Sequence, residues 1–287
     1  MEHQKSAHFE KDNQLVVKDH LVSGNTFVVR WNPDQQLAQT LVPKTFDASS
    51  YYDSQAYDSH KRNRTGIQGL LYSISQKIMF HRKLKVVIPF LHKANDVVLD
   101  YGCGTGTFVD FLHQKKYKCI GVEPYAKART IAKDRGLPVY ESLDTLPKAN
   151  IKVIVLWHVL EHVDDPIALL QTFYQLLPKS GALILALPNL LSQDAQHYQQ
   201  DWAAFDVPRH LWHFSKPGIV QMTEKQGFTH KKTHKMPLDA YYVSMLSEKN
   251  KGNRFSFVQG LLRGARSNIS AIKTGEYSSL MYVFQKN

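Results

Sequence analysis

The segment Val97-Val98-Leu99-Asp100-Tyr101-Gly102-Cys103-Gly104-Thr105-Gly106 constrains the chain more than any other. Its apolar start reads as a buried strand, its three alternating glycines as a tight turn, and Thr107–His113 as the helix that follows. A strand that passes through glycines directly into a helix is the opening unit of a parallel α/β sheet. Glycines at that place also let the backbone approach a ligand closely, while the first turn of the helix offers unpaired N–H groups.

The rest of the chain continues the alternation. Cys119–Glu123 reads as a second strand and 125–135 as its helix. Pro138–Tyr140 is a short third strand, Val153–Trp157 a fourth, Pro166–Leu177 a helix and Ala182–Leu187 a fifth strand. A helix near 217–226, a strand at Phe228–Thr233 and a last strand at Ser278–Gln285 complete the order. Regular alternation implies right-handed crossovers and a doubly wound, mainly parallel seven-stranded sheet of the Rossmann-like kind. Residues 94–287 form this body, with a lid at 190–215 and a helical insertion at 237–275 before the last strand. Such a long connection, with helical patterns at 240–247 and 255–272, is expected to cover the sheet or build a pocket. Residues 61–93 form a lead-in helix, apolar at Ile67, Leu70, Leu71, Ile74, Ile78, Leu84, Val87 and Ile88 and ending near Pro89. Residues 1–60 are an extension.

Parallel sheets bind ligands at the carboxyl ends of their strands, where the strand order reverses. Glu123 ends the second strand, at about the distance from Gly106 where a dinucleotide fold places the carboxylate that takes ribose hydroxyls. A dinucleotide fingerprint would need glycine at position 107, where this chain has Thr107. Asp100, two residues before the first glycine, would repel a pyrophosphate but favour a cationic ligand.

At this point the chain resembles the class I S-adenosylmethionine-dependent methyltransferases. Asp100 to Gly106 resembles their first motif and Gly121-Val122-Glu123-Pro124 their acidic strand end. Leu156-Trp157-His158-Val159-Leu160-Glu161-His162-Val163 resembles the fourth-strand motif, and Leu176 to Ala182 the turn before the fifth strand. The resemblance covers about 85–287 and is closest to the small-molecule branch that includes the ubiquinone-biosynthesis O-methyltransferases. It implies that Asp100, Gly102, Cys103, Gly104 and Gly106 hold the methionyl part of S-adenosylmethionine and that Glu123 takes the ribose. Pro124, Tyr125, Ser142 and Leu143 would then border the ribose and adenine, and Trp157 and His158 the methionyl group; core packing is the alternative for Tyr125 and Trp157. The implied reaction is in-line methyl transfer to a small-molecule acceptor, at oxygen, leaving S-adenosylhomocysteine.

Methyl transfer needs alignment and dryness first, and a general base only when the acceptor arrives protonated. His162, His158 and His210 are the candidates, with Glu161 beside them. The stretch Asp206-Val207-Pro208-Arg209-His210-Leu211-Trp212-His213-Phe214-Ser215 resembles a block in a group of bacterial methyltransferases and reads as a lid. In it Asp206, Arg209, His210 and His213 either touch the acceptor or, for Arg209 and Asp206, form an ion pair. His210 and His213 alone are a weak metal signature, and no metal is expected. Relatives in that group carry a cysteine ribbon before a Tyr-Tyr-x-x-x-x-Tyr segment. Tyr51, Tyr52 and Tyr57 match the segment, but Asn32-Pro33-Asp34-Gln35 stands where cysteines would fall. Residues 14–45 are expected to form a metal-free β hairpin, and Tyr51, Tyr52, Tyr57 and His60 either to close over the cofactor or to pack on the sheet.

The formal net charge of +11 lies mostly outside the central segment 97–188. The densest patch, Lys231, Lys232 and Lys235 with His230 and His234, has no recognisable nucleic-acid module around it, so a solvated basic face is the expectation. RNA methylation and a non-catalytic binding domain are the competing readings. The only cysteines, Cys103 and Cys119, are expected as free thiols in a cytoplasmic protein. No apolar run approaches the roughly 20 residues of a membrane helix, so no membrane partner is expected; the oligomeric state is left open.

Overall fold

The computed structural model describes Phe9, residues 13–43, Phe46, Tyr51 and residues 66–287, with side chains of the last stretch from Gln76 onward. Tyr52, Tyr57 and His60 lie outside the described residues.

The first described elements are three antiparallel strands, β1 (Gln14–Lys18), β2 (Thr26–Asn32) and β3 (Leu37–Leu41). The lead-in helix α1 (Gly66–Val87) ends in a 3₁₀ turn at Ile88–Phe90, where Pro89 has no N–H to continue the helix. The alternating body follows: β4 (Val97–Tyr101), α2 (Thr107–Gln114), β5 (Lys118–Val122), α3 (Ala126–Asp134), β6 (Val139–Tyr140) and β7 (Ile151–Trp157). Next come α4 (Pro166–Leu176) and β8 (Ala182–Pro188). Asp165 caps α4 by accepting the Ala168 N–H at 2.9 Å, and Pro166 occupies the first helical position. The lid stretch holds the short helix α5 (Gln193–Tyr198), two 3₁₀ turns and a strand, β9 (Trp212–Phe214). After it come α6 (Lys216–Glu224), β10 (Phe228–Lys235), α7 (Pro237–Asn250), α8 (Ser256–Thr274) and β11 (Ser279–Lys286).

Seven strands form the main sheet in the order β10-β11-β8-β7-β4-β5-β6. Only β11 runs against the others, pairing antiparallel with both β8 and β10. The central strands are mostly apolar because both faces are covered: β8 at every position and β7 at all but Lys152. Ile154 and Leu156 of β7, with Leu183, Leu185 and Leu187 of β8, pack with Phe173 of α4 on one face. Val153 and Val155, with Ala182, Ile184 and Ala186, pack with Val109 and Leu112 of α2 and Leu84 and Val87 of α1 on the other. The chain runs outward from β4 through β5 to β6, then returns to β7 and β8. The carboxyl ends of β4, β5 and β7 therefore flank the point where strand order reverses.

One element departs from the sequence reading. The expected hairpin at 14–45 is three strands, and β9 from the lid adds a fourth by pairing antiparallel with β3, making the sheet β1-β2-β3-β9. Three residues are too short for a period-2 pattern to be read, and their pairing partner lies about 175 positions upstream. Tyr51 packs its ring on Phe27 and Phe46 of this region, at 6.5 and 5.6 Å. No described helix is long and apolar enough to cross a membrane.

The smaller sheet is also locked to α6. Ser215 caps that helix through the Gly218 N–H at 3.2 Å and donates its hydroxyl to the Gln36 carbonyl at 2.7 Å. A methyl group on Gly218 would run into the Gln36 carbonyl and the Leu37 side chain. Gly218→Ala is therefore expected to cost about 1–3 kcal/mol of stability, as overpacking does. Chemical denaturation checks this: an unchanged midpoint and slope would refute the tight junction.

Candidate active site

The glycine turn after β4 folds over the end of β5. The amides of Gly102 and Cys103 both donate to the Val122 carbonyl, at 2.7 and 3.0 Å. Gly102, at φ +73°, lies so close to Val159 that a Cβ would sit 2.5 Å from its Cγ2. Gly104, at φ +56°, has nothing within 4 Å of the place a Cβ would take, so the turn leaves an open cradle above its middle residue. Glu123 is fixed against that cradle: its carboxylate accepts the Gly104 amide at 2.7 Å and the Tyr125 amide at 2.9 Å. Arg129 in turn donates to the carbonyls of Glu123 and Pro124, each at 2.7 Å, which pins the strand end.

Asp100 is buried at the last turn-facing position of β4, and its Oδ1 has no hydrogen-bond partner. Burial raises its pKa to about 7, with Lys83 pulling it down and Glu123 pushing it further up. Lys83, from α1, is the charge that sequence reading missed. It is buried with its ammonium 4.2 Å from the Trp157 ring centre and 5.7 Å from those of Phe80 and Phe108. Burial lowers its pKa to about 8 against the pull of Asp100 and Asp239. A lysine inside the apolar stripe Phe80, Leu84 and Val87 is the sequence signal that marks it. Cys103 and Cys119 are both free; burial pushes each thiol well above its usual range, so neither is a nucleophile.

The other expected cofactor residues stand on the same edge. Ser142 and Leu143 form the 3₁₀ turn after β6, Ser142 capping it reciprocally with Thr145, and Leu143 packs against the core. Trp157 ends β7 in edge contact with Phe108 at 5.3 Å; its Nε1 is buried without a hydrogen-bond partner. Asp100, Glu123, Tyr125, Ser142 and Trp157 thus come from four strand ends to one side of the sheet.

The histidines divide into different states. His158, at φ +57°, lies between Glu161 Oε1 at 3.5 Å and Asp239 Oδ2 at 3.3 Å. Burial alone would lower its pKa, but the two carboxylates outweigh it and raise it to about 9. His162 goes the other way: burial, then the neighbouring His210, lower it to about 4. Its Nδ1 donates to the Arg209 carbonyl at 2.9 Å, and His210 Nδ1 donates to the Ala204 carbonyl at 2.8 Å. A carbonyl only accepts, so in each neutral ring the accepting lone pair is on Nε2. The two rings meet edge to face at 4.5 Å. Glu161, almost fully buried, has neither carboxylate oxygen hydrogen-bonded; burial raises its pKa, and the imidazoles of His158, His210 and His162 more than reverse this. Potential ligand atoms of Glu161, His162 and His210 lie within 4.8 Å of one another.

His213 does not join that group. Thr40 gives its hydroxyl proton to the His210 carbonyl at 2.7 Å, so His213 Nε2, 2.9 Å away, is the donor to Thr40 Oγ1. Arg209 and Asp206 form an ion pair with hydrogen bonds of 3.0 and 2.5 Å, and Asp19 of the leader completes it at 3.4 Å. Asp239, at the start of the insertion, is a second residue absent from the sequence reading; it lies 81 positions from the histidine it holds.

A glycine cradle, an anchored carboxylate on the next strand and a donor-poor acid at the switch point can now be set beside known proteins. The sequence profile of a family described as a methyltransferase domain matches residues 75–232, more than half of the chain. No curated protein matches the chain in sequence. Among solved structures, magnesium protoporphyrin IX methyltransferase from Synechocystis PCC 6803, with bound S-adenosylhomocysteine, aligns over 83% of this chain and 97% of its own, at 13% identity and a TM-score of 0.54. A methyltransferase described in complex with the Trm112 activator of Haloferax volcanii aligns over 74% and 92%, at 13% identity and a TM-score of 0.54. A Galdieria sulphuraria protein described as a sarcosine dimethylglycine methyltransferase aligns over 75% and 86%, at 16% identity and a TM-score of 0.50. At such identities the likeness is one of fold, and the family match fixes the assignment: the chain belongs to the methyltransferase-domain family and is a methyltransferase enzyme.

Proposed function

We propose that the chain methylates an oxygen of a small molecule, as the O-methyltransferase-like branch does, with the donor held between the β4 turn and Glu123. The observation that carries the cofactor placement is the pairing of an open cradle at Gly104 with a carboxylate already fixed by the Gly104 and Tyr125 amides. That carboxylate suits two ribose hydroxyls. The unpaired Oδ1 of Asp100 suits an ammonium, and the buried ammonium of Lys83 suits the carboxylate of the same amino-acid moiety. Tyr125, Ser142 and Leu143 border the base, and Trp157 with His158 the methionyl end. When bound, S-adenosylmethionine supplies a methyl group on a good leaving group, so the chain's task is to align the acceptor and exclude water.

A small acceptor follows from what surrounds β7. The lid touches this strand end through the His162 bond to Arg209, and the insertion reaches it through Asp239 on His158. Both segments converge where the acceptor would lie. The solved relatives named for magnesium protoporphyrin IX and for sarcosine and dimethylglycine also carry small-molecule names. A base role falls on His162, with His210 beside it. Both rings have an Nε2 lone pair when neutral, whereas His158 is already protonated near neutrality and serves as a fixed positive charge.

Three outcomes are expected. Glu123→Ala weakens S-adenosylmethionine binding by about 1–3 kcal/mol, measured by calorimetry; an unchanged dissociation constant would contradict the ribose role. His162→Ala slows turnover by about 10²-fold or more while leaving that dissociation constant within a few-fold. Equal turnover in mutant and wild type would reject the base. The third concerns pH. His158 titrates near 9 when folded and near its ordinary value when unfolded, so its pairing stabilises the fold fully below about pH 6.5 and is lost as pH rises through 9. Asp239→Asn should therefore destabilise the protein more at pH 6 than at pH 10. The gap is modest because the ring is 35% exposed. Thermal melts across that range check it, and a gap that widens with pH would show the sign to be wrong.

A further inference from the structure

Helix α8 is built inside out. Its buried residues are its small ones, Gly260, Gly264, Ser267 and Ala271; the two glycines meet α7, and Ser267 donates to Asp194 of α5 at 2.7 Å. A Cβ on Gly260 would sit 2.5 Å from the Cα of Met245, and one on Gly264 would sit 2.7 Å from the Cα of Tyr241. Its large apolar residues instead face outward. At 100° per residue, Phe257, Leu261, Ile272, Val258, Ile269 and Leu262 fall in that order within an arc of about 140°. All six are exposed, Ile269 by 63% and Ile272 by 73%. Arg263, Arg266 and Lys273 follow on the next arc, and the helix contains no Asp or Glu.

We propose that α8 is a membrane-surface helix, lying in the headgroup region of an anionic bilayer with its apolar arc in the acyl boundary. The charge pattern selects this occupant. A cationic border beside an apolar face complements acidic headgroups. A second copy of the chain meeting this face across a two-fold axis would bring two acid-free, basic helices together, and like charges would oppose it. The sequence expectation of no membrane partner rests on the lack of a spanning segment. A helix that lies in the interface needs neither the length nor the unbroken apolarity of a span. The glycines against α7 supply the other requirement: they seat the helix without using its large side chains, which leaves those for the lipid.

Flotation of the full chain with vesicles tests the proposal. Vesicles of phosphatidylcholine and phosphatidylglycerol, mixed about two to one, should carry the wild type upward, and pure phosphatidylcholine vesicles much less, with the difference reduced at high salt. Leu262→Ser, Ile269→Ser and Ile272→Ser combined should lower the partition by roughly tenfold or more. Arg266→Glu with Lys273→Glu should weaken binding to the anionic vesicles selectively. S-adenosylmethionine affinity, unchanged in these variants, reports that they are folded. Three results would overturn the idea: wild type remaining in the aqueous fraction with anionic vesicles, the triple serine variant floating as well as wild type, or a dimer in sedimentation equilibrium that the same serines dissolve.

Discussion

Three carboxylates, Asp100, Glu123 and Glu161, stand largely out of water at or just beyond the carboxyl ends of adjacent strands. A buried charge is tolerable only when partners reach it, and here the partners come from every part of the chain. The glycine turn and Tyr125 supply amides to Glu123; α1 supplies Lys83 near Asp100; the segment after β7 supplies His158 and His162 and the lid His210 around Glu161, and the insertion supplies Asp239 to the far side of His158. Lead-in helix, insertion and lid are thus drawn to one edge by electrostatics, while the apolar faces of the sheet fix where that edge lies. Asp100 keeps one unpaired oxygen, an incompleteness that a cationic ligand removes.

Much of the frame was legible because its signals are local. A glycine turn between a buried strand and a helix needs about ten residues to recognise, and the strand–helix alternation repeats it. Glu123 was legible for the same reason, standing at the end of a strand that follows at a regular distance. The pair Arg209 and Asp206, three positions apart, was also within reach. What escaped reading depends on contacts between distant segments. Lys83 meets Trp157 across 74 positions, Asp239 meets His158 across 81, and β9 finds β3 only once the lid has folded back. Periodicity states which face of an element is apolar; it does not state which element a lone charge on that face will meet.

The histidines show how environment divides chemically identical residues. Four positions apart, His158 and His162 are driven to opposite states, one by two flanking carboxylates and the other by burial and a neighbouring ring. The sequence offered both as bases. Two carboxylates hold one charged up to about pH 9, and the carbonyl at Nδ1 directs the other's lone pair to Nε2.

The pairing of β9 with β3 makes the leader and the lid parts of one folded unit. Asp19 on Arg209, Thr40 between His210 and His213, and Ser215 on Gln36 rivet the same seam. A flap that swings open alone would have to unzip strand hydrogen bonds and bare a buried guanidinium. Any outward movement of this segment would therefore carry the whole front panel with it, as a door with strands for its frame.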